Sequence, residues 1–206
     1  MEPESKCRDL YPQMSEIKTR LEVISSEIHT LITSSGQEDI DLLKDLTTLS
    51  KKVMETANIA SSYHLNRLLG PYTHQCSIIF KAIRQLSTKR KGALIVIQRE
   101  DSLDDLITKG IPLSAEISIA LLDSIFHVGT PLHDGAVLIQ NDVIISAANI
   151  LPLTRKAYKG VKLGTRHRAA IGLSEKCDAL IFIVSEETGK EAFAYRGSMY
   201  PFHMSI

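Results

Sequence analysis

The chain carries no excess of either charge. Its 206 residues hold 24 Lys+Arg against 24 Asp+Glu, which excludes a surface that attracts nucleic acid or an anionic membrane through its overall field. Cysteine is scarce: Cys7, Cys76 and Cys177 are odd in number, far apart and without a Cys-x-x-Cys pair. That excludes a disulfide framework and a cysteine zinc site, and leaves reduced thiols in a cytoplasm as the expectation. Long apolar runs are missing too, since Ala179 to Val184 is the longest and is far too short to span a bilayer. Met1 to Arg8 mixes both charges instead of running basic then apolar, so no export leader is expected. What is present, 44% hydrophobic and 23% charged residues, suffices for one proper core and a small appendage.

Two helical stripes open the chain. Leu10, Met14, Ile17, Leu21, Ile24, Ile28 and Leu31 recur at spacings of four and three, a heptad seam that ends near Ser34-Ser35-Gly36. Leu42, Leu46, Leu49, Val53, Ala57 and Ala60 keep the same rhythm, so Glu38 to about Leu69 reads as the return arm of a hairpin. Heptads report packing, and residues 1–69 are assigned to assembly or regulation. His29 and His64 lack acidic or cysteine neighbours at ligand spacing and receive no role. Gly70-Pro71 marks a boundary before a second unit, residues 70–206.

Within that unit the period changes. Tyr72 to Ser87 is helical, ending in the basic Lys89-Arg90-Lys91, which suits a helix C-terminus. Ala93 to Ile97 is a continuous branched run, expected as a strand buried on both faces. Ser102 to Thr108 is predicted as a short helix, and Ser114 to Phe126 as a longer one with Ser114 at its N-cap. Ala136 to Gln140 and Val143 to Asn149 flank Asn141-Asp142, a two-residue hairpin signal without the preferred glycine. Arg166 to Ser174 is predicted helical and Ala179 to Ser185 a central strand. Glu191 to Arg196 and Met199 to Phe202 form a closing hairpin about Gly197-Ser198. The fold class is α/β or α+β, a mixed central sheet flanked by helices and preceded by a helical hairpin.

Chemistry concentrates between Pro131 and Tyr195. Arg155 to Arg168 holds six Lys/Arg and no Asp or Glu, and a polyphosphate is the ligand that such a local concentration suits. Asp134 stands where a strand begins and can hold a divalent cation or orient a hydroxyl; Gly135 leaves the main chain open to a ligand. Arg166 and Arg168 open a helix whose free N–H groups favour the same anion, with Thr165 as a hydroxyl at the N-cap position. Ser185-Glu186-Glu187-Thr188-Gly189 ends another strand and adds acids for a cation, magnesium or manganese before zinc. Each piece has an ordinary alternative. Asp134-Gly135 can be a turn, Arg166 and Arg168 can pair with Glu175 or Asp178, and the two glutamates can form a solvated loop. Jointly, their places at strand and helix ends favour a site.

At these residues the chain resembles the diadenylate cyclases, whose catalytic domain carries Asp-Gly-Ala and Arg-His-Arg motifs, here Asp134-Gly135-Ala136 and Arg166-His167-Arg168. The likeness extends through Gly92 to Ile97, Pro131-Leu132-His133, Leu151-Pro152-Leu153, Gly164-Thr165 and Ser185 to Gly189, roughly the C-terminal two thirds. The front hairpin is similar to that of the soluble, sporulation-associated subtype of Bacillus-type bacteria. The resemblance implies condensation of two ATP into cyclic di-AMP and two pyrophosphates, with Mg²⁺, Mn²⁺ or Co²⁺. It implies a homo-oligomer in which two catalytic faces meet, and no nucleic-acid or membrane partner. By motif position Asp134 would act on the ribose 3′-hydroxyl and engage the metal, with His133 and Glu187 as further ligands. Gly135 and Ala136 would border ribose and phosphate, while Gly164, Thr165, Arg166, His167, Arg168 and Ser185 would surround the triphosphate. Ile150 and Leu151 would form the adenine wall. The basic stretch Arg155 to Lys162 exceeds the family pattern. Two rivals stand beside this reading: a non-enzymatic sensor of ATP or a cyclic dinucleotide, and an interaction protein with a vestigial pocket.

Overall fold

The computed structural model describes residues 14–33, 39–156 and 163–202. In chain order the described elements are α1 (Met14–Thr33), α2 (Asp39–Leu69), α3 (Cys76–Thr88), β1 (Ala93–Ile97), β2 (Ile111–Glu116), α4 (Ile119–Ile125), β3 (Ala136–Gln140), β4 (Val143–Asn149), α5 (Thr165–Ser174), β5 (Leu180–Val184), β6 (Glu191–Tyr195) and β7 (Ser198–Pro201). All seven strands join one sheet in the order β2-β4-β3-β1-β5-β6-β7. β1 and β3 run parallel and the other neighbouring pairs antiparallel, so the sheet is mixed as expected.

Branched apolar runs place the core. Every residue of β1 and of β5 is buried. Because strand side chains alternate between faces, such strands need cover on both. Ala93, Ile95 and Ile97 join Leu180, Phe182 and Val184 in a cluster with α3, α4 and the end of α2. Leu94 and Val96 join Ile181, Ile183 and α5 residues Ala169, Ala170 and Leu173 on the other face. The sheet is thus sandwiched between helical layers.

Asn141 and Asp142 take φ of 47° and 66°, the two left-handed residues of a type I′ turn, and join β3 to β4 without glycine. Four expectations shift. Ser102 to Thr108 is not helical; Leu103 and Ile107 pack into the second cluster and Thr108 bridges Ile150. The expected helix from Ser114 is split, because Ile111–Glu116 pairs with β4 across a register shift at which Ser114 sits at φ 49°. Ser118 is the N-cap instead, its Oγ accepting from the Leu121 N–H at 3.2 Å. Ile117, Leu122 and Ile125 are buried as expected and Leu121 partly so. α5 begins one residue early, with Gly164 rather than Thr165 at its N-cap. The last turn also comes one residue early, at Arg196 and Gly197.

The hairpin buries only part of its seams. Ile17 and Ile24 are covered and Glu27 pairs with Lys52 across the arms, but Met14, Leu21, Ile28, Leu42, Leu46 and Val53 remain exposed. Leu10 and the proposed turn at residues 34–36 lie outside the described residues. The last turns of α2 do otherwise: Leu65, Leu68 and Leu69 belong to the sheet's first cluster. No helix among the described residues is long and apolar enough to cross a membrane.

Candidate active site

Strand register gathers the motif residues at one rim. Ala93 pairs with Val184, Ala136 with Asn149, and Ile95 lies beside Val137. The residues just before β1 and β3 therefore share a rim with those just after β4 and β5. That brings Gly92, His133-Asp134-Gly135, Ile150-Leu151 and Ser185 to Thr188 to the same end of the sheet. The parallel pair offers its N-terminal ends here, so of the strands that carry the motifs β4 and β5 follow the usual rule that ligands sit at strand C-termini.

α5 brings the arginines to this rim. A Cβ on Gly172 would fall 2.2 Å from the Pro152 carbonyl oxygen and 2.4 Å from the Thr154 nitrogen, so only a glycine lets the helix lie on that segment. The Thr154 N–H donates to the Arg168 carbonyl at 3.0 Å and fixes the register. Gly164 supplies no side-chain cap, and the N–H groups of Thr165, Arg166 and His167 have no intrahelical acceptors, which leaves a positive helix end toward the rim. Arg166 Nη1 donates to Glu186 Oε2 at 2.7 Å, and Arg168 is exposed, reaching, among the described residues, the Thr154 carbonyl at 3.3 Å. Neither arginine takes the acids that offered an ordinary alternative: Glu175 pairs with Lys156, and Asp178 with Arg99.

The acidic side is held differently. Gly135 has φ of 118°, and a Cβ there would fall 2.7 Å from the Ala148 carbonyl carbon. Its missing side chain is therefore needed both by its backbone and by contact with β4. Buried Asn149 staples the same corner, donating to the Ala136 carbonyl at 2.8 Å and accepting from Gly110 N–H at 3.0 Å and Ser146 Oγ at 2.9 Å. Sequence reading missed Asn149, and no local signal marks it. Asp134 is exposed, with no hydrogen bond or ion pair among the described residues. His133 Nδ1 lies 2.5 Å from the Thr130 carbonyl; a carbonyl can only accept, so Nδ1 is the donor and Nε2 is the ring nitrogen left to meet a ligand.

Ser185 Oγ accepts from the Thr188 N–H at 3.2 Å, and the Gly189 N–H donates to the Ser185 carbonyl at 2.9 Å, so the glutamate turn is ordered. Burial holds the half-buried His167 below its usual pKa; nearby Glu187 acts against this and Arg166 with it. His167 is accordingly neutral at neutral pH. Leu151 is buried in the second cluster while Ile150 is 65% exposed, yet Ile150 is pinned by paired main-chain hydrogen bonds with Thr108. Lys89 and Lys91 are occupied by Asp123, whose carboxyl they hold at about 2. Of the basic stretch, Arg155 is exposed, and residues 157–162 lie outside the described residues.

Among the described residues no three His, Cys, Asp or Glu side chains stand close enough to form a metal site. His133, Asp134 and Glu187 are therefore not a ready-made three-ligand set within one chain. Their chemistry still fits magnesium or manganese, which bind through one or two carboxylates and complete their shell with phosphate oxygens and water.

The family described as DAC, DisA bacterial checkpoint controller nucleotide-binding, matches residues 80–199, a range that contains every motif on this rim. The chain is 45% identical over 185 residues to the diadenylate cyclase CdaS of Bacillus thuringiensis, covering 90% of this chain and 92% of that protein. It is 44% identical over 197 residues to the cyclic di-AMP synthase CdaS of Bacillus subtilis, covering 93% and 95%. A crystal structure from Bacillus cereus, described as a hypothetical membrane spanning protein, superposes with a TM-score of 0.82 at 44% identity, covering 92% of this chain and 93% of that one. A double mutant of DacA from Staphylococcus aureus gives 0.60 at 39% identity, covering 69% and 90%. With the motif residues collected at one rim and this similarity running nearly end to end, the chain belongs to the DAC family of diadenylate cyclases.

Proposed function

We propose that the chain is a diadenylate cyclase that joins two ATP molecules into 3′,5′-linked cyclic di-AMP and releases two pyrophosphates. The observation that carries this is the rim itself, where Asp134, exposed and without a partner among the described residues, shares one end of the sheet with the helix N-terminus bearing Arg166 and Arg168. The activities after which the Bacillus relatives are named agree with it.

In each of two steps a ribose 3′-oxygen bonds to the α-phosphorus of the other ATP. The bond from that phosphorus to the β-phosphate bridge oxygen breaks, and the 3′-hydroxyl loses its proton. Asp134 orients the hydroxyl and accepts its proton as the O–P bond forms, then passes it to solvent. Arg166, Arg168 and the N–H groups at Thr165 to His167 neutralise the triphosphate and the departing pyrophosphate. Neutral His167, Ser185 and Gly164 line the phosphate path, Gly135 and Ala136 border the ribose, and Ile150 with Leu151 receives adenine. Asp134, with His133 or Glu187 as a further ligand and phosphate oxygens and water completing the shell, would hold a Mg²⁺, Mn²⁺ or Co²⁺ ion, which would supply additional charge neutralisation. One rim holds one ATP, so two copies must meet face to face.

Residues 1–69 are assigned to assembly and to restraint of activity, with the catalytic unit at 70–206. Because Leu65, Leu68 and Leu69 pack in the sheet's core, the test of restraint removes only the outer hairpin, residues 1–54. Faster turnover supports restraint, and an unchanged rate with an unchanged oligomer rejects it. A cytoplasmic setting suits the two buried cysteines Cys76 and Cys177. The deciding experiment for the activity incubates the full chain with ATP and Mn²⁺ and separates products by mass. Cyclic di-AMP with pyrophosphate is expected; bound but unchanged ATP would favour a sensor instead.

A further inference from the structure

Gly92 has no conformational reason to be glycine. Its φ lies outside the left-handed range, so any L residue could take its backbone, and it immediately precedes a strand of alanine and branched residues. It is nevertheless buried. A Cβ there would fall 2.2 Å from Nη1 and 2.7 Å from Cζ of Arg166, and 3.0 Å from Cβ of Glu186. The space a side chain would need is filled by the guanidinium group that the proposed reaction requires.

The same guanidinium is also gripped by an acid. Arg166 Nη1 donates to Glu186 Oε2 at 2.7 Å, with the arginine side chain 28% and the glutamate 56% exposed. An arginine on the first turn of a helix has four rotatable bonds, and a phosphate contact is useful only if the fork is already aimed. The floor at Gly92 and the clamp at Glu186 remove that freedom. Glu186 thereby differs in task from its neighbour Glu187, which lies near His167.

We propose that Gly92 and Glu186 are positioning residues for Arg166: the first a side-chain-free seat, the second a charge-assisted clamp, together aiming the guanidinium at the triphosphate. This rests on the cyclase reading for its substrate, but the arrangement concerns any polyphosphate on this rim.

Gly92→Ala is a clean probe, because the atoms its Cβ would strike hardest are the far end of a flexible side chain. The expected result is an unchanged melting temperature with kcat/KM lowered about tenfold to a hundredfold. Glu186→Ala should act in the same direction, and Glu186→Gln, which keeps an acceptor oxygen, should recover part of the loss. The decisive measurement is a double-mutant cycle. In an Arg166→Ala background Gly92→Ala should have no further effect, both on kcat/KM and on the affinity for α,β-methylene-ATP measured by calorimetry. An undiminished loss in that background, wild-type kinetics in Gly92→Ala, or tighter nucleotide binding in Glu186→Ala would overturn the assignment. Wild-type protein that makes no cyclic di-AMP would fail the cyclase reading alone, since the cycle in analogue affinity is read without turnover.

Discussion

The two rims of the sheet are built from the same kinds of residue and use them in opposite ways. At the rim beyond β1 and between β3 and β4, acids and bases consume one another. Asp142 accepts from Thr73 Oγ1 at 2.5 Å and from the His74 N–H at 2.9 Å, with the His74 ring 2.9 Å away. Arg99 pairs with Asp178 at 3.3 Å, donates to the Tyr195 hydroxyl at 3.1 Å and lies 4.6 Å from the Tyr72 ring centroid. The Asp101 N–H donates to the Asp178 carboxylate at 3.1 Å and the Asp178 N–H to the Asp101 carboxylate at 2.8 Å. At the other rim Asp134, Arg168 and Glu187 are exposed and show no ion pair among the described residues. Stability is served where polar groups find partners in the fold; reactivity is kept where they are left for a ligand.

Substitutions can break that contrast, and the largest effect belongs to Asp134→Asn. Turnover should fall roughly a thousandfold while the melting temperature and analogue binding stay near wild type; full activity would remove this carboxylate from the mechanism. Next comes Arg168→Ala, expected to cost about a hundredfold in kcat/KM, again without loss of stability in urea unfolding. On the opposite rim the pattern inverts. Asp142→Ala should destabilise by about 1–3 kcal/mol in urea and leave kcat unchanged.

Burial pushes the Asp142 carboxyl up, but its hydrogen bonds from Thr73 and His74 outweigh this and hold it below the ordinary value. A depressed folded pKa contributes stability that is present above about pH 4 and lost as pH falls through the folded value. The deficit of Asp142→Asn should therefore shrink on acidification below about pH 4, measured as the difference in urea midpoint. The smallest effect is expected of Tyr72→Phe. It removes one exposed hydrogen bond to Glu100 of 2.7 Å while keeping the ring beside Arg99, so a change within about 0.5 kcal/mol is anticipated.

How legible each part was follows from the range of the interaction behind it. The Ala93–Ile97 and Leu180–Val184 strands and the turn at Asn141-Asp142 were readable because their signals lie within a few residues. The strand Ile111–Glu116 was not. It is a sheet edge, exposed over most of its length, and its pairing with Val143 to Ala147 comes from distant residues. Two serines four apart compete for one helix start, and pairing to β4 decided for Ser118 over Ser114. The heptads located both helices of the hairpin but not which seam positions one chain covers: Ile17 and Ile24 are buried, whereas Leu21 and Ile28 on the same stripe are exposed. Within the site the two motifs and the acidic turn were legible, whereas Asn149 was silent, because its three hydrogen bonds reach residues up to 39 positions away.

Local order along the chain determined which segments are strands and helices, where charge is concentrated, and which residue types are available for phosphate chemistry. These are set by side-chain period, by turn-forming residues and by composition, all properties of neighbours in sequence. Only the tertiary structure decided that Gly92, Asp134, Arg166 and Glu186 share one rim and that Arg166 rests where Gly92 has no side chain. Sheet register and helix docking settle such matters, and both depend on contacts between segments that sequence spacing does not encode.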